Sequence, residues 1–83
     1  MNPQEITYAK IPPSNVELEE SIIAGCLFNP DCRQDAITYV SVDDFYKTAH
    51  RKIFQTISEM TEKGEDVDLV TVADALRNKK ELN

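Results

Sequence analysis

The residues of this 83-residue chain best suited to chemistry are its one histidine, His50, and its two cysteines, Cys26 and Cys32. Together they would offer three zinc ligands, with Asp43 or Asp44 as a fourth. The two cysteines, however, lie outside the C-x2–4-C spacing of structural zinc sites. Cys26 reads instead as a core residue and Cys32 as a surface helix residue. A nucleophile pair, Cys32–His50 or Cys26–His50, lacks a recognisable oxyanion site, and so small a chain leaves little room for a cleft. His50 falls near a helix N-terminus, where the positive dipole end disfavours a further positive charge. The expectation is a neutral imidazole hydrogen-bonded to the Asp43–Asp44 turn. Paired carboxylates could do general acid–base work, but Asp43, Asp44, Asp66 and Asp68 are scattered, and helix capping accounts for Asp44 and Asp68. No D-x-[DN]-x-[DN]-G calcium loop is present. Gly25 and Gly64 are isolated, so no G-x-x-x-x-G-K-[ST] loop cradles a nucleotide phosphate. No catalytic, cofactor-binding or metal-ligating residue is expected.

Charge narrows the partners. Fifteen acidic residues against 9 basic give a net charge of −6. Nucleic-acid phosphates are neutralised by lysine and arginine, so direct nucleic-acid binding is not expected. A small DNA-binding helical domain is correspondingly disfavoured. Arg77, Lys79 and Lys80 form a local basic patch that reads as cations at a helix C-terminus. Tyr39, Phe45, Tyr46 and Phe54 are expected to be mostly core. Without interleaved arginine or lysine they do not make a stacking platform for single strands. Two cysteines are too few for a disulfide scaffold. No signal peptide and no apolar run of bilayer-spanning length is visible, which points to a cytoplasmic protein with no membrane partner.

The elements that would hold these residues are helical, and the expected fold is all-α: a compact orthogonal bundle of four main helices plus a short helical turn. Residues 1–10 read as a flexible N-terminal arm whose end Tyr8 and Ile11 could pin. Pro12 and Pro13 stop any helix. Ser14 or Asn15 can cap a helix over 15–28, with Ser14 and Glu17 at capping-box spacing and Glu17, Glu19 and Glu20 favoured by the dipole. Leu18, Ile22, Ile23, Cys26 and Leu27 recur at helical spacing. Asn29-Pro30 closes this helix and opens another over 30–40, with Ala36, Ile37 and Val40 inward. Ser41 caps a short turn containing Asp44. Thr48 is expected to cap a helix ending near Lys63 with Ile53, Phe54, Ile57 and Met60 inward, followed by Gly64 in the left-handed region. Asp68 caps a last helix over 69–78 with Leu69, Val72, Ala73 and Leu76 on one face.

Three blocks carry a family resemblance. P-P-x-x-x-E-x-E-x-S-I-I-x-G-x-L over Pro12 to Leu27, D-D-F-Y-x-x-x-H-x-x-I-F over Asp43 to Phe54, and V-D-L-V-T-V-A-D-A-L over Val67 to Leu76 occur in order and register. Together they resemble the N-terminal domain of bacterial replicative DNA helicases of the DnaB family over residues 11–83. Leu18 stands where the family more often has a small residue, and Ala24 precedes the single Gly25 where a glycine pair is usual. Both changes affect packing.

The resemblance implies a non-catalytic interaction domain that helps assemble a hexameric collar with other helicase subunits and docks a DnaG-type primase. It also implies that ATP and Mg, with the principal DNA-binding loops, belong to a separate RecA-like domain. The chain stops at Asn83, before the helical hairpin that pairs subunits in the family, so a domain incomplete at its C-terminus is expected. The alternative is a stand-alone helical adaptor or decoy that binds a helicase or primase. A reading frame closing at Asn83 would favour it. Contact residues are not assigned.

Overall fold

The computed structural model describes residues 15–82, with side chains as far as Lys80. The N-terminal arm, its anchors Tyr8 and Ile11, the Pro12–Pro13 stop and the Ser14–Glu17 capping box lie outside these residues. The described residues form four α-helices and one 3-10 turn: α1 (Val16–Phe28), α2 (Pro30–Tyr39), the turn Val42–Asp44, α3 (Thr48–Glu62) and α4 (Leu69–Leu82). Among the described residues there is no strand, in line with the all-α expectation.

Local chemistry explains most of the boundaries. Asn15 caps α1, its side-chain oxygen accepting from the Leu18 amide at 3.0 Å. Asn29 serves two helices. Its amide donates to the Gly25 carbonyl at 2.9 Å, closing α1, and its side-chain oxygen accepts from the amides of Asp31 at 2.9 Å and Cys32 at 3.1 Å, opening α2. Pro30 takes the first helical position, where a missing N–H costs nothing. The Ser41 amide donates to Asp44 Oδ2 at 2.8 Å, which fixes the 3-10 turn. Gly64, at φ +74°, follows α3. Its amide donates to the Thr61 carbonyl at 3.1 Å and that of Glu65 to the Met60 carbonyl at 2.9 Å, the Schellman pattern. Asp68 and Thr71 exchange amide-to-side-chain bonds, each 2.9 Å, at the start of α4.

Two boundaries differ from the sequence expectation. Thr48 is the first residue of α3, not its cap; Lys47 occupies the cap position and contributes no side-chain bond. A carboxylate from α1, described below, holds the Tyr46 and Lys47 amides just before the helix, and the helix begins one residue earlier than a Thr48 cap would place it. The last helix runs to Leu82 rather than Asn78. Lys79 reaches back to α3, donating to Thr56 Oγ1 at 3.0 Å and pairing with the Glu59 carboxylate, which anchors the added turn.

The core consists of Ile22, Ile23 and Cys26 of α1, Ala36 and Val40, Phe45, the α3 residues Phe54, Ile57 and Met60, and Val72 of α4. Phe45 and Phe54 pack with ring centroids 4.9 Å apart, tilted by 41°. Helix α1 packs on α2 and α3, and α4 packs on α3. On α4 the inward face is narrower than expected. Val72 is buried, with Ala75 and Leu76 partly so, whereas Leu69 is 60% exposed and Ala73 is exposed. Tyr39 and Tyr46 are likewise surface residues; of the four expected aromatics only Phe45 and Phe54 are core. Arg33 ties the layers together, donating to the carbonyls of Cys26 at 3.0 Å and Val67 at 3.3 Å.

Candidate functional site

The most unusual polar group among the described residues is Glu19, a carboxylate with 0% exposure in the helical interior. It lies on the inward stripe of α1 with Ile22, Ile23 and Cys26. Its Oε2 accepts from the Tyr46 amide at 2.6 Å, and its Oε1 accepts from the Lys47 amide at 3.3 Å. Oε1 also lies 2.8 Å from His50 Nδ1. Burial pushes the carboxyl pKa up, but the Tyr46 amide, the His50 imidazole and the Lys47 amide outweigh it and hold the group below its ordinary value of 4.5. An ionised carboxylate only accepts, so a proton sits on His50 Nδ1. Glu19 therefore braces the segment that leads into α3, accepting from the two amides just before the helix and from the His50 ring in its first turn.

This corrects the expectation for His50, which bonds to Glu19 of α1 rather than to the Asp43–Asp44 turn. The expectation failed because Glu19 reads as one of three exposed acids in a first turn. The signal was present all the same. Glu19, Ile22, Ile23 and Cys26 follow the i, i+3, i+4, i+7 rule of one helix face, and a charge on such a stripe demands a buried partner.

The remaining reactive side chains are dispersed or engaged. Cys26 is fully buried, and burial, reinforced by Cys32 and opposed by Arg33, pushes its thiol up to about 12. Such a thiol is protonated at neutral pH. Among the described residues no group of three or more His, Cys, Asp or Glu side chains could hold a metal ion. Asp44 and Asp68 act as caps, as expected, and Asp43 and Asp66 are exposed. Every buried side-chain polar atom among the described residues has a partner.

What remains is surface. Phe28 is 73% exposed and Val70 69% exposed, and Phe28 and Leu69 border a shallow apolar groove with Ile23, Ala24, Leu27 and Ile53. On α3 and α4, Lys52, Lys79 and Lys80 line a second cleft. The basic patch read from the sequence is thus redistributed. Arg77 turns away to pair with Asp74 at 2.9 Å, and Lys52 of α3 joins Lys79 and Lys80. No described helix is long and apolar enough to cross a membrane.

Comparison with known proteins places this four-helix head. The family model of the DnaB-like helicase N-terminal domain matches residues 11–83. The chain is 32% identical over 78 residues to the replicative DNA helicase DnaB of Buchnera aphidicola subsp. Schizaphis graminum, covering 94% of this chain and 17% of that protein. It is 33% identical over 78 residues to the DnaB of Geobacillus stearothermophilus and 35% identical over 69 residues to the replicative DNA helicase DnaC of Bacillus subtilis, spanning 17% and 15% of them. No solved structure gives a significant match. The chain belongs to the DnaB-like helicase N-terminal domain family. It spans less than a fifth of the length of these curated relatives.

Proposed function

We propose that the chain is a non-catalytic protein-interaction head of a replicative DNA helicase, contributing to assembly of a hexameric collar and to docking of a DnaG-type primase in DNA replication. The observation that carries this reading is the in-register family match over residues 11–83 to the N-terminal part of replicative helicases. The geometry supports it. The buried polar groups of the described residues are spent on holding helices together, and large apolar side chains such as Phe28 and Val70 remain at the surface. In this reading the head carries no cofactor and makes no direct contact with nucleic acid. ATP, Mg and unwinding belong to a RecA-like domain of the helicase, and the protein works in the cytoplasm. The test is a pull-down of the C-terminal region of a DnaG-type primase, with light scattering of the chain mixed with helicase subunits. Stoichiometric capture of either partner is the expected result. Failure to bind both, by this chain and by the corresponding complete N-terminal domain, would overturn the reading.

A further inference from the structure

On a chain of net charge −6, three ammonium groups converge on a single cleft of about 660 Å3 between α3 and α4. Lys52, Gln55 and Thr56 come from α3, and Leu76, Lys79 and Lys80 from α4. Lys79 is already committed, bonded to Thr56 Oγ1 at 3.0 Å and paired with Glu59. Lys52 and Lys80 are exposed and have no carboxylate partner among the described residues. The cleft therefore carries an uncompensated positive charge beside the apolar surface of Leu76 and the amide of Gln55.

The chemistry selects among anions. Phosphate recognition favours arginine forks and helix N-termini. Here the cations are lysines, point charges without the bidentate geometry of arginine, and Arg77 is paired with Asp74. Helix α4 brings its last turn, the negative end of its dipole, to the cleft, which opposes the higher charge of a phosphate more than that of a single carboxylate. No aromatic side chain lines it to stack a base. The acidic remainder of the chain repels a long polyanion, whose charges extend beyond the ~10 Å screening length at 0.1 M salt, but repels a short segment far less. We propose that this cleft docks a short acidic segment of a partner protein, two carboxylates meeting Lys52 and Lys80 while an apolar side chain between them rests on Leu76. The inference rests on the interaction-module reading and adds to it the place and the charge of one contact.

The test is an amide NMR titration of the isotope-labelled 83-residue chain with a helical peptide carrying two glutamates one turn apart around a leucine. The matching glutamine peptide and oligothymidine serve as comparisons. Saturable shifts at Gln55, Thr56 and Lys80 are expected with the glutamate peptide. Binding should weaken by about tenfold or more in K52E/K80E and with the glutamine peptide, and should survive in K52R/K80R. Both lysines are exposed and unpaired, so K52E/K80E should keep the wild-type circular dichroism and melting temperature. Absence of saturable shifts with the glutamate peptide would overturn the proposal, as would shifts indifferent to K52E/K80E or tighter binding of oligothymidine at the same residues. The readout needs neither primase nor helicase subunits. A failure here leaves docking by another face intact, and a failure of those partners to bind leaves this titration to be read by itself.

Discussion

Glu19 Oε1 and His50 Nδ1, from residues 31 positions apart, meet at 2.8 Å in the interior and join α1 to the first turn of α3. The same carboxylate accepts the Tyr46 and Lys47 amides, so one side chain satisfies three donors. Its removal strands the buried His50 donor and two part-buried amides, which is costlier than losing an exposed ion pair. Glu19→Ala should lower unfolding free energy by about 3 kcal/mol. Glu19→Gln should cost less, because its amide oxygen still accepts one backbone bond. Urea denaturation checks both, with Glu17→Ala, at an exposed position of the same helix, expected within about 0.5 kcal/mol of wild type.

The carboxyl of Glu19 lies below its ordinary value of 4.5 in the folded chain, so the folded state binds its proton less readily than the unfolded state. The stabilisation it brings is present in full above the unfolded value. It is lost as pH falls through the folded one. This contribution should therefore be flat from neutral pH down to the ordinary carboxylate range and decline below it. Glu19→Gln removes a titrating group, so the difference in stability between wild type and this variant should shrink as pH is lowered through that window. Denaturation midpoints of the two proteins, measured across a pH series, report that difference directly.

Gly25 of α1 faces Cys32 of α2, and a Cβ built there would come within 2.5 Å of Cys32 Sγ but 3.7 Å from Cys32 Cβ. The conflict is therefore with the sulfur alone. Gly25→Ala should destabilise the chain by about 1 kcal/mol or more through overpacking. In a Cys32→Ala background the same change should be neutral or stabilising by up to about 1 kcal/mol, since alanine is the better helix former. Thermal melts of the four proteins in this cycle give the coupling.

The ends of α3 and α4 make a further prediction. Gly64 adopts φ +74° with open space around it, so the cost of a side chain there is purely conformational. Gly64→Ala should cost about 1 kcal/mol, and Gly64→Asn less. Asp68→Ala removes the acceptor for the Thr71 amide and should cost about 1 kcal/mol. Chemical denaturation of these variants, with Phe28→Ser as an exposed-site control expected near wild type, measures both effects.

Helix positions were legible because their punctuation is local. Asn15, Asn29-Pro30, Gly64 and Asp68 act within three residues of themselves, and all appear in the structure in the roles their chemistry suggests. What was not legible depends on contacts between helices. Glu19 reads locally as one of three dipole-favoured acids because its partners lie 27 to 31 residues away. The last turn of α4 lies beyond the expected helix over 69–78 because Lys79 gains its anchors from Thr56 and Glu59 of α3. Leu69 was assigned inward by its spacing, yet the packing of α4 leaves it 60% exposed. The basic cleft was half visible, since Lys79 and Lys80 are neighbours in sequence and Lys52 joins them only through the fold.

The central claim, that this chain is an interaction head of a replicative helicase, is tested most directly by calorimetric titration of the C-terminal region of a DnaG-type primase into the folded chain. The account predicts a saturable complex of defined stoichiometry. No complex with this chain or with the N-terminal domain of a full-length family helicase, under conditions where the helices remain folded, would contradict it.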